Sequence, residues 1–431
     1  MIPRSRLLLP TLRRSLHRPY KLTPPSITPA LGPEPASLIK ESAVAMTINL
    51  SEALAATSHD FRSDTVTGYT SRHRIPCLQL VPTIEMLQSM FSTATFTDDV
   101  YSRDPTTVKL ETEVAQLSGH QEGMFVPSGT MGNQICLRTH LTQPPHSVLC
   151  DERSHVYTNE AGGLAMFSQA MTTTIRPKNG KYITLEEVKA NIIGEDIHYA
   201  PTRVVSLENT LNGVVLPYSE AKRISEYIRG EFRGQIKLHL DGMISDFDIF
   251  DTIGARLWNA LVAENISLKE YCSLFDSVSL CFSKGLSTPV GSIVVGSTQF
   301  IEKARHFKKA FGGGIRNPGI LSAACLVSLE QIIPRIERTH VVAKDIATRL
   351  ERLGYRLLLP VDTNMVFLDL EELGVSEKTF QEYCAREGVL VFDYHRIVVH
   401  HQTSAEAVDK LIAAMTRLIT DVRGGKVQHA K

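Results

Sequence analysis

Cysteine is sparse and badly spaced for metal or disulfide work: seven residues among 431, from Cys77 to Cys384, with no CxxC pair. That excludes a zinc-finger spacing and a disulfide framework, and the odd count suits a reducing compartment. No run of about 20 apolar residues occurs, so the chain offers no hydropathy-defined membrane span. It also lacks charge of one sign. Its 46 Lys and Arg offset 46 Asp and Glu, leaving no net field to draw in nucleic acid or an anionic membrane, and neither partner is expected. Acids are missing altogether from Met1 to Pro33, where Arg4, Arg6, Arg13, Arg14, Arg18 and Lys21 are interleaved with Ser and Leu. That composition predicts a basic, transit-like or disordered leader and linker over residues 1–45, with a second possible start at Met46. The expected location is mitochondrial if the leader is used and cytoplasmic otherwise.

What is present is a globular composition, 43% hydrophobic and 21% charged. The length allows roughly two to three domains at about 150 residues each. From about residue 60, short apolar runs alternate with amphipathic stretches, the α/β pattern of helices around a mainly parallel sheet. Strands are predicted over Gly123–Val126, Arg203–Leu207, Gln235–Leu240, Ser277–Phe282 and Ser292–Val295. A larger domain over 60–300 is followed by a smaller α+β domain over 301–425. In the latter, helical patterns at Ile301–Ala310, Pro318–Ile332 and Val341–Leu353 lead to strands near 365–370, 389–391 and 397–400. A last helix is predicted from Thr403, which has capping-box spacing to Glu406.

Three constellations carry chemistry. Val126-Pro-Ser-Gly-Thr-Met-Gly-Asn133 is a small-residue turn between a strand and a helix, and helix-start N–H groups with the Thr130 hydroxyl suit a phosphate. Lys237-Leu-His-Leu-Asp241 puts a carboxylate at a strand's carboxyl end. Cys281-Phe-Ser-Lys284-Gly285 puts a lysine just after an apolar strand, where a desolvated amine becomes a nucleophile toward an aldehyde. Taken singly, each is also what an ordinary loop, turn or solvated lysine looks like.

Their order and 43-residue Asp-to-Lys spacing (284 − 241) match aspartate-aminotransferase-type enzymes. Beyond that fold, Phe61-Arg-Ser-Asp-Thr-Val-Thr67, Asp98-Asp-Val-Tyr101, Asp104-Pro-Thr106, Val126-Pro-Ser-Gly-Thr-Met-Gly-Asn-Gln134, Leu207-Glu-Asn-Thr210, His239-Leu-Asp-Gly242, Ser283-Lys-Gly285 and Gly312-Gly-Gly-Ile-Arg316 resemble the low-specificity L-threonine aldolases. The resemblance implies a three-layer, fold type I pyridoxal 5'-phosphate enzyme that cleaves L-threonine or L-allo-threonine to glycine and acetaldehyde. It also implies an amino-acid substrate and a homo-oligomer, dimer or tetramer, with active sites at subunit interfaces. On the matching positions, Lys284 would be the lysine that binds the cofactor covalently and Asp241 the partner of its ring nitrogen. Gly129, Thr130 and Arg316 would hold the phosphate, with Arg316 reaching a neighbouring subunit's site, and Arg256 would contact the ring hydroxyl. His155 would stack on the ring, and either it or a water it orders would serve as catalytic base with support from His198, while Ser63 and Arg396 would grip the substrate carboxylate. No metal is implied.

Two segments depart from the family pattern: 68–80, 13 residues, and 243–254, 12 residues between Gly242 and Ala255-Arg256. Either they are surface loops or they are unspliced intron sequence carried into the chain. Ser287 replaces a glycine after the lysine. Three other functions stay in view: an amino-acid racemase, a β-eliminating lyase on the same scaffold, and a cofactor-binding protein inactivated by the two segments.

Overall fold

The computed structural model describes residues 58–62, 82–100, 103–242, 256–391 and 395–427, all within one compact unit, Leu50–Lys431. The leader, Ser63, the segments 68–80 and 243–254, and the side chain of Arg256 lie outside the described residues.

Seven strands form the main sheet: β1 (Glu122–Val126), β2 (Ser147–Asp151), β3 (Met171–Ile175), β4 (Thr202–Glu208), β5 (Lys237–Gly242), β6 (Ser277–Cys281) and β7 (Ser292–Gly296). Their spatial order is β1-β7-β6-β5-β4-β2-β3. The pairs from β6 through β3 are parallel, while β7 runs antiparallel to both β1 and β6. Six carboxyl ends therefore share one edge, where chemistry collects in such sheets. β2, β6 and β7 are buried along their whole length, as expected for strands covered on both faces. Of the two edge strands, β1 is mostly buried and β3, MTTTI, carries half-exposed threonines.

The apolar interior changes hands later than residue 301. Ala324, Cys325, Ile332 and Ile336 belong to the cluster beneath the sheet, so helix Gly319–Gln331 is part of that body. A second cluster begins at Ala343 and gathers Phe61, Ile346, Leu368, Phe380, Val389, Leu411 and Met415. It surrounds a two-stranded antiparallel sheet, β8 (Met365–Phe367) and β9 (Arg396–Val398). Phe61 reaches this cluster because its backbone bonds Leu390 and Val398. The last helix starts one residue later than its sequence signal. Ser404 caps it by accepting from Ala407 N, whereas the Thr403 hydroxyl accepts from His400 N.

Candidate active site

At the shared carboxyl edge, Asp241 sits fully buried on β5, opposite Glu208 of β4 and Ser279 of β6. One helical turn past β2, His155 is buried as well, and its backbone N–H donates to the Glu208 carboxylate at 2.8 Å. Its ring Nδ1 lies 2.5 Å from Glu160 Oε1. One polar side-chain atom each of His155, Glu160 and Asp241 lies within 4.8 Å of the others. An ionised carboxylate only accepts, so the proton of the histidine–glutamate bond resides on Nδ1 and the basic nitrogen of His155 is Nε2.

Glu160 is held by helix Gly129–His140: Asn133 Nδ2 donates at 2.8 Å and Gln134 Nε2 donates to the second oxygen. Two glycines make this geometry possible. A Cβ on Gly163 would come within 2.5 Å of the Gln134 amide, and one on Gly132 within 2.7 Å of Ser279 Oγ. The helix therefore presses onto β6, with Gly129 buried and Thr130 half-buried in its first turn at the end of β1. Ser128 caps this turn by accepting from Met131 N.

Lys284, 7% exposed, follows β6 in a turn closed by Ser287 N donating to Lys284 O at 2.7 Å. Ser287 adopts φ +59°, the left-handed region that favours glycine. That explains why the resembling pattern has glycine there; the serine carries the strain here, and its Oγ lies 2.6 Å from His401 Nε2. Burial pushes His401 down to about 3, so the ring is neutral there. Burial likewise raises the Cys281 thiol, against the opposing pull of Lys284.

Arg396 opens β9 nearly buried, and its guanidinium donates to Arg62 O at 3.3 Å. Arg62 in turn pairs with the buried Asp60 at 2.7 Å. Arg316 is on the surface, its side chain 65% exposed and paired with Asp98. Arg256 opens helix Arg256–Glu264, after the 243–254 segment.

His198 stands apart from this group. Within one chain it does not join the cluster: it is exposed in a loop that feeds the amino end of β4, where Pro201 O accepts from Ser147 N at the start of β2. Its own N–H bonds Asp196. In the opposite sense, Glu160, Asn133, Gln134 and Glu208 are site residues that the sequence reading did not assign. Asn133, Gln134 and Glu208 lie inside recognised motifs; Glu160, five residues past His155, carries no periodic signal.

The beta-eliminating lyase family matches residues 60–373. The chain is 45% identical over 363 residues, 84% of its own length and 90% of the relative's, to the Low-specificity L-threonine aldolase of Candida albicans. It is 37% identical, over 82% of this chain and 85% of the relative, to the protein of Cochliobolus carbonum named Alanine racemase TOXG. Among solved structures, a putative L-allo-threonine aldolase from Listeria monocytogenes shares the fold, with TM-score 0.63 and 23% identity, over 85% of this chain and 99% of that one.

Proposed function

Because the chain belongs to the beta-eliminating lyase family, among the low-specificity L-threonine aldolases, we propose that it cleaves L-threonine and L-allo-threonine to glycine and acetaldehyde with pyridoxal 5'-phosphate. The donor set of the carboxyl edge fits that cofactor. One observation carries this reading: a buried lysine, a buried aspartate and a carboxylate-backed histidine converge there, beside a helix start.

In this reading Lys284 would hold the cofactor covalently, Asp241 would keep its ring nitrogen protonated and His155 would lie against the ring. Gly129 and Thr130 would hold its phosphate through helix-start N–H groups, and Arg256 would meet the ring hydroxyl. When bound, pyridoxal phosphate supplies the electron sink that carbon–carbon cleavage needs. Arg396 and Ser63 grip the substrate carboxylate and thereby set which bond at Cα is aligned for breaking. His155 Nε2 takes the β-hydroxyl proton, and Glu160 stabilises the imidazolium that forms. As that proton leaves, the Cβ–O bond becomes a carbonyl, the Cα–Cβ bond breaks and acetaldehyde departs. A proton returned to Cα then gives glycine.

Arg316 and His198 complete the site from a second copy in a homo-oligomer, a reading supported by their exposure and by Ile197 and Tyr199, 96% and 62% exposed beside His198. The basic leader directs the chain to mitochondria when it is used, and fractionation of a tagged full chain tests this.

A racemase reading is favoured by one observation, the Cochliobolus relative. Product analysis separates the two. Acetaldehyde from L-threonine supports cleavage, whereas D-alanine from L-alanine without aldehyde overturns it. The same assay on a chain lacking 243–254 tests whether that segment blocks the site: activity appearing only after deletion identifies the intact chain as a cofactor-binding form.

A further inference from the structure

Beyond Glu160, a chain of side-chain hydrogen bonds crosses the sheet toward its other edge. Asn133 Oδ1 lies 3.1 Å from His239 Nε2, His239 Nδ1 lies 3.0 Å from Ser277 Oγ, and Ser277 Oγ lies 2.8 Å from His140 Nε2. Asn133 and His140 are on one helix, seven residues or ~10 Å apart. His140 borders a cleft of about 450 Å³ at the amino edge, lined also by His120, Lys237, Asp276 and Lys303.

The direction of every bond follows from Glu160. Being an acceptor, it requires the Asn133 amide nitrogen, so the amide oxygen must face His239 and His239 must carry its proton on Nε2. Nδ1 of His239 is then an acceptor, filled by the Ser277 hydroxyl, and Ser277 accepts from His140 Nε2–H. All donors point toward Glu160. Burial pushes both His239 and His140 down to about 3, so neither ring takes the second proton that would reverse the order.

An amide has two orientations of nearly equal shape, and the wrong one would turn an oxygen toward a buried carboxylate. We infer that His239 is a positioning residue for His155: its Nε2–H pins Asn133 so that the amide donates to Glu160, and Glu160 thereby keeps the His155 proton on Nδ1 and leaves Nε2 as the base. This rests on the reading of His155 as the base. The other ionisable groups facing the pair are Asp241 on β5 and Glu208 on β4, neither of which lies in the His239 chain, and Cys136 on the helix, whose thiol, pushed up by burial, hydrogen-bonds Ser277 within it.

The sign of the effect is fixed. With Asn133 unpinned, the Glu160 charge is less compensated and holds imidazolium at His155 more strongly, so the acid limb of the pH profile moves up. The test uses the full chain loaded with pyridoxal phosphate. His239→Phe is expected to raise the acid-limb pKa of kcat/KM by about one unit and to cut kcat/KM at pH 7 roughly tenfold. His239→Gln, which keeps an N–H at the same reach, is expected to restore the wild-type profile. ¹⁵N spectra of labelled histidine, assigned by difference with His155→Asn, are expected to show His155 protonated on Nδ1 in wild type and His239→Gln but a tautomer mixture in His239→Phe. Ser277→Ala, which removes only a hydroxyl, is expected to give a smaller shift in the same direction and keeps the test alive if the phenylalanine variant does not fold. Unchanged limbs and spectra in His239→Phe or Ser277→Ala overturn the inference, as does a glutamine variant that matches phenylalanine. If acetaldehyde is absent throughout but the tautomer still changes, positioning stands and the substrate reading fails.

Discussion

The buried and the exposed halves of the proposed site are built on opposite terms. Asp241, Glu160, His155 and Lys284 are all at most 7% exposed, and the first three each bring one polar side-chain atom within 4.8 Å of the others. Arg316 and His198 stand in solvent, each bonded to a nearby aspartate. A buried charge costs several kcal/mol unless partners are built around it, so the inner half must be complete within one chain. A solvated arginine carries no such requirement and can wait for a second copy of the chain. The contrast teaches that residues assigned to one site by sequence are sorted by burial into those one chain holds and those that, in the proposed homo-oligomer, a second copy would add.

The largest expected effect breaks the inner half. Glu160→Gln removes the carboxylate that fixes the His155 tautomer, and kcat/KM for L-threonine is expected to fall on the order of 100-fold. A fall of less than threefold would detach Glu160 from the base. The outer half is tested by mixing. Lys284→Ala and Arg316→Ala are each expected to be inactive, but subunit exchange between them rebuilds intact sites, about a quarter of the total for random pairing in a two-fold dimer. No recovery would place Arg316 in its own chain's site or outside the chemistry.

A milder test concerns the buried imidazoles. Burial holds His340, which bonds Asn259, down to about 4, and His239 to about 3. An unfolded histidine takes its proton near 6.5, whereas these resist until much lower pH. Their stabilising contribution is therefore complete above about pH 6.5 and is lost as pH falls toward 4, at ~1.4 kcal/mol per pH unit for each ring. Denaturant unfolding at pH 7 and pH 5 is expected to show a shallower pH slope in His340→Gln than in wild type; equal slopes would contradict neutral burial. The smallest effect separates two adjacent hydroxyls. Ser404→Ala is expected to cost ~1 kcal/mol as the true helix cap, and Thr403→Ala less.

Five of the seven main strands were legible as apolar runs, and Asp241 and Lys284 as groups at strand ends. Two strands were not. β2, Ser-Val-Leu-Cys-Asp, has only three apolar residues between Ser147 and Asp151 and follows Pro144-Pro145, and β3 has threonine where a core strand would have larger apolar residues. The later boundary between the two cores was hidden because helix Gly319–Gln331 is apolar whichever body it covers. Glu160 was illegible for a different reason: its partners Asn133 and Gln134 come from 27 and 26 residues upstream, and only the close approach at Gly163 brings them together. His198 was read from a motif that records neither its exposure nor the chain it serves.

The most direct test of the carboxyl-edge site is to load the full chain with pyridoxal phosphate, reduce it with borohydride and map the modified peptide by mass spectrometry. The expected result is a single pyridoxyl group on Lys284, absent from Lys284→Ala together with acetaldehyde release. A pyridoxyl group on another lysine, with aldehyde release intact in Lys284→Ala, would contradict it.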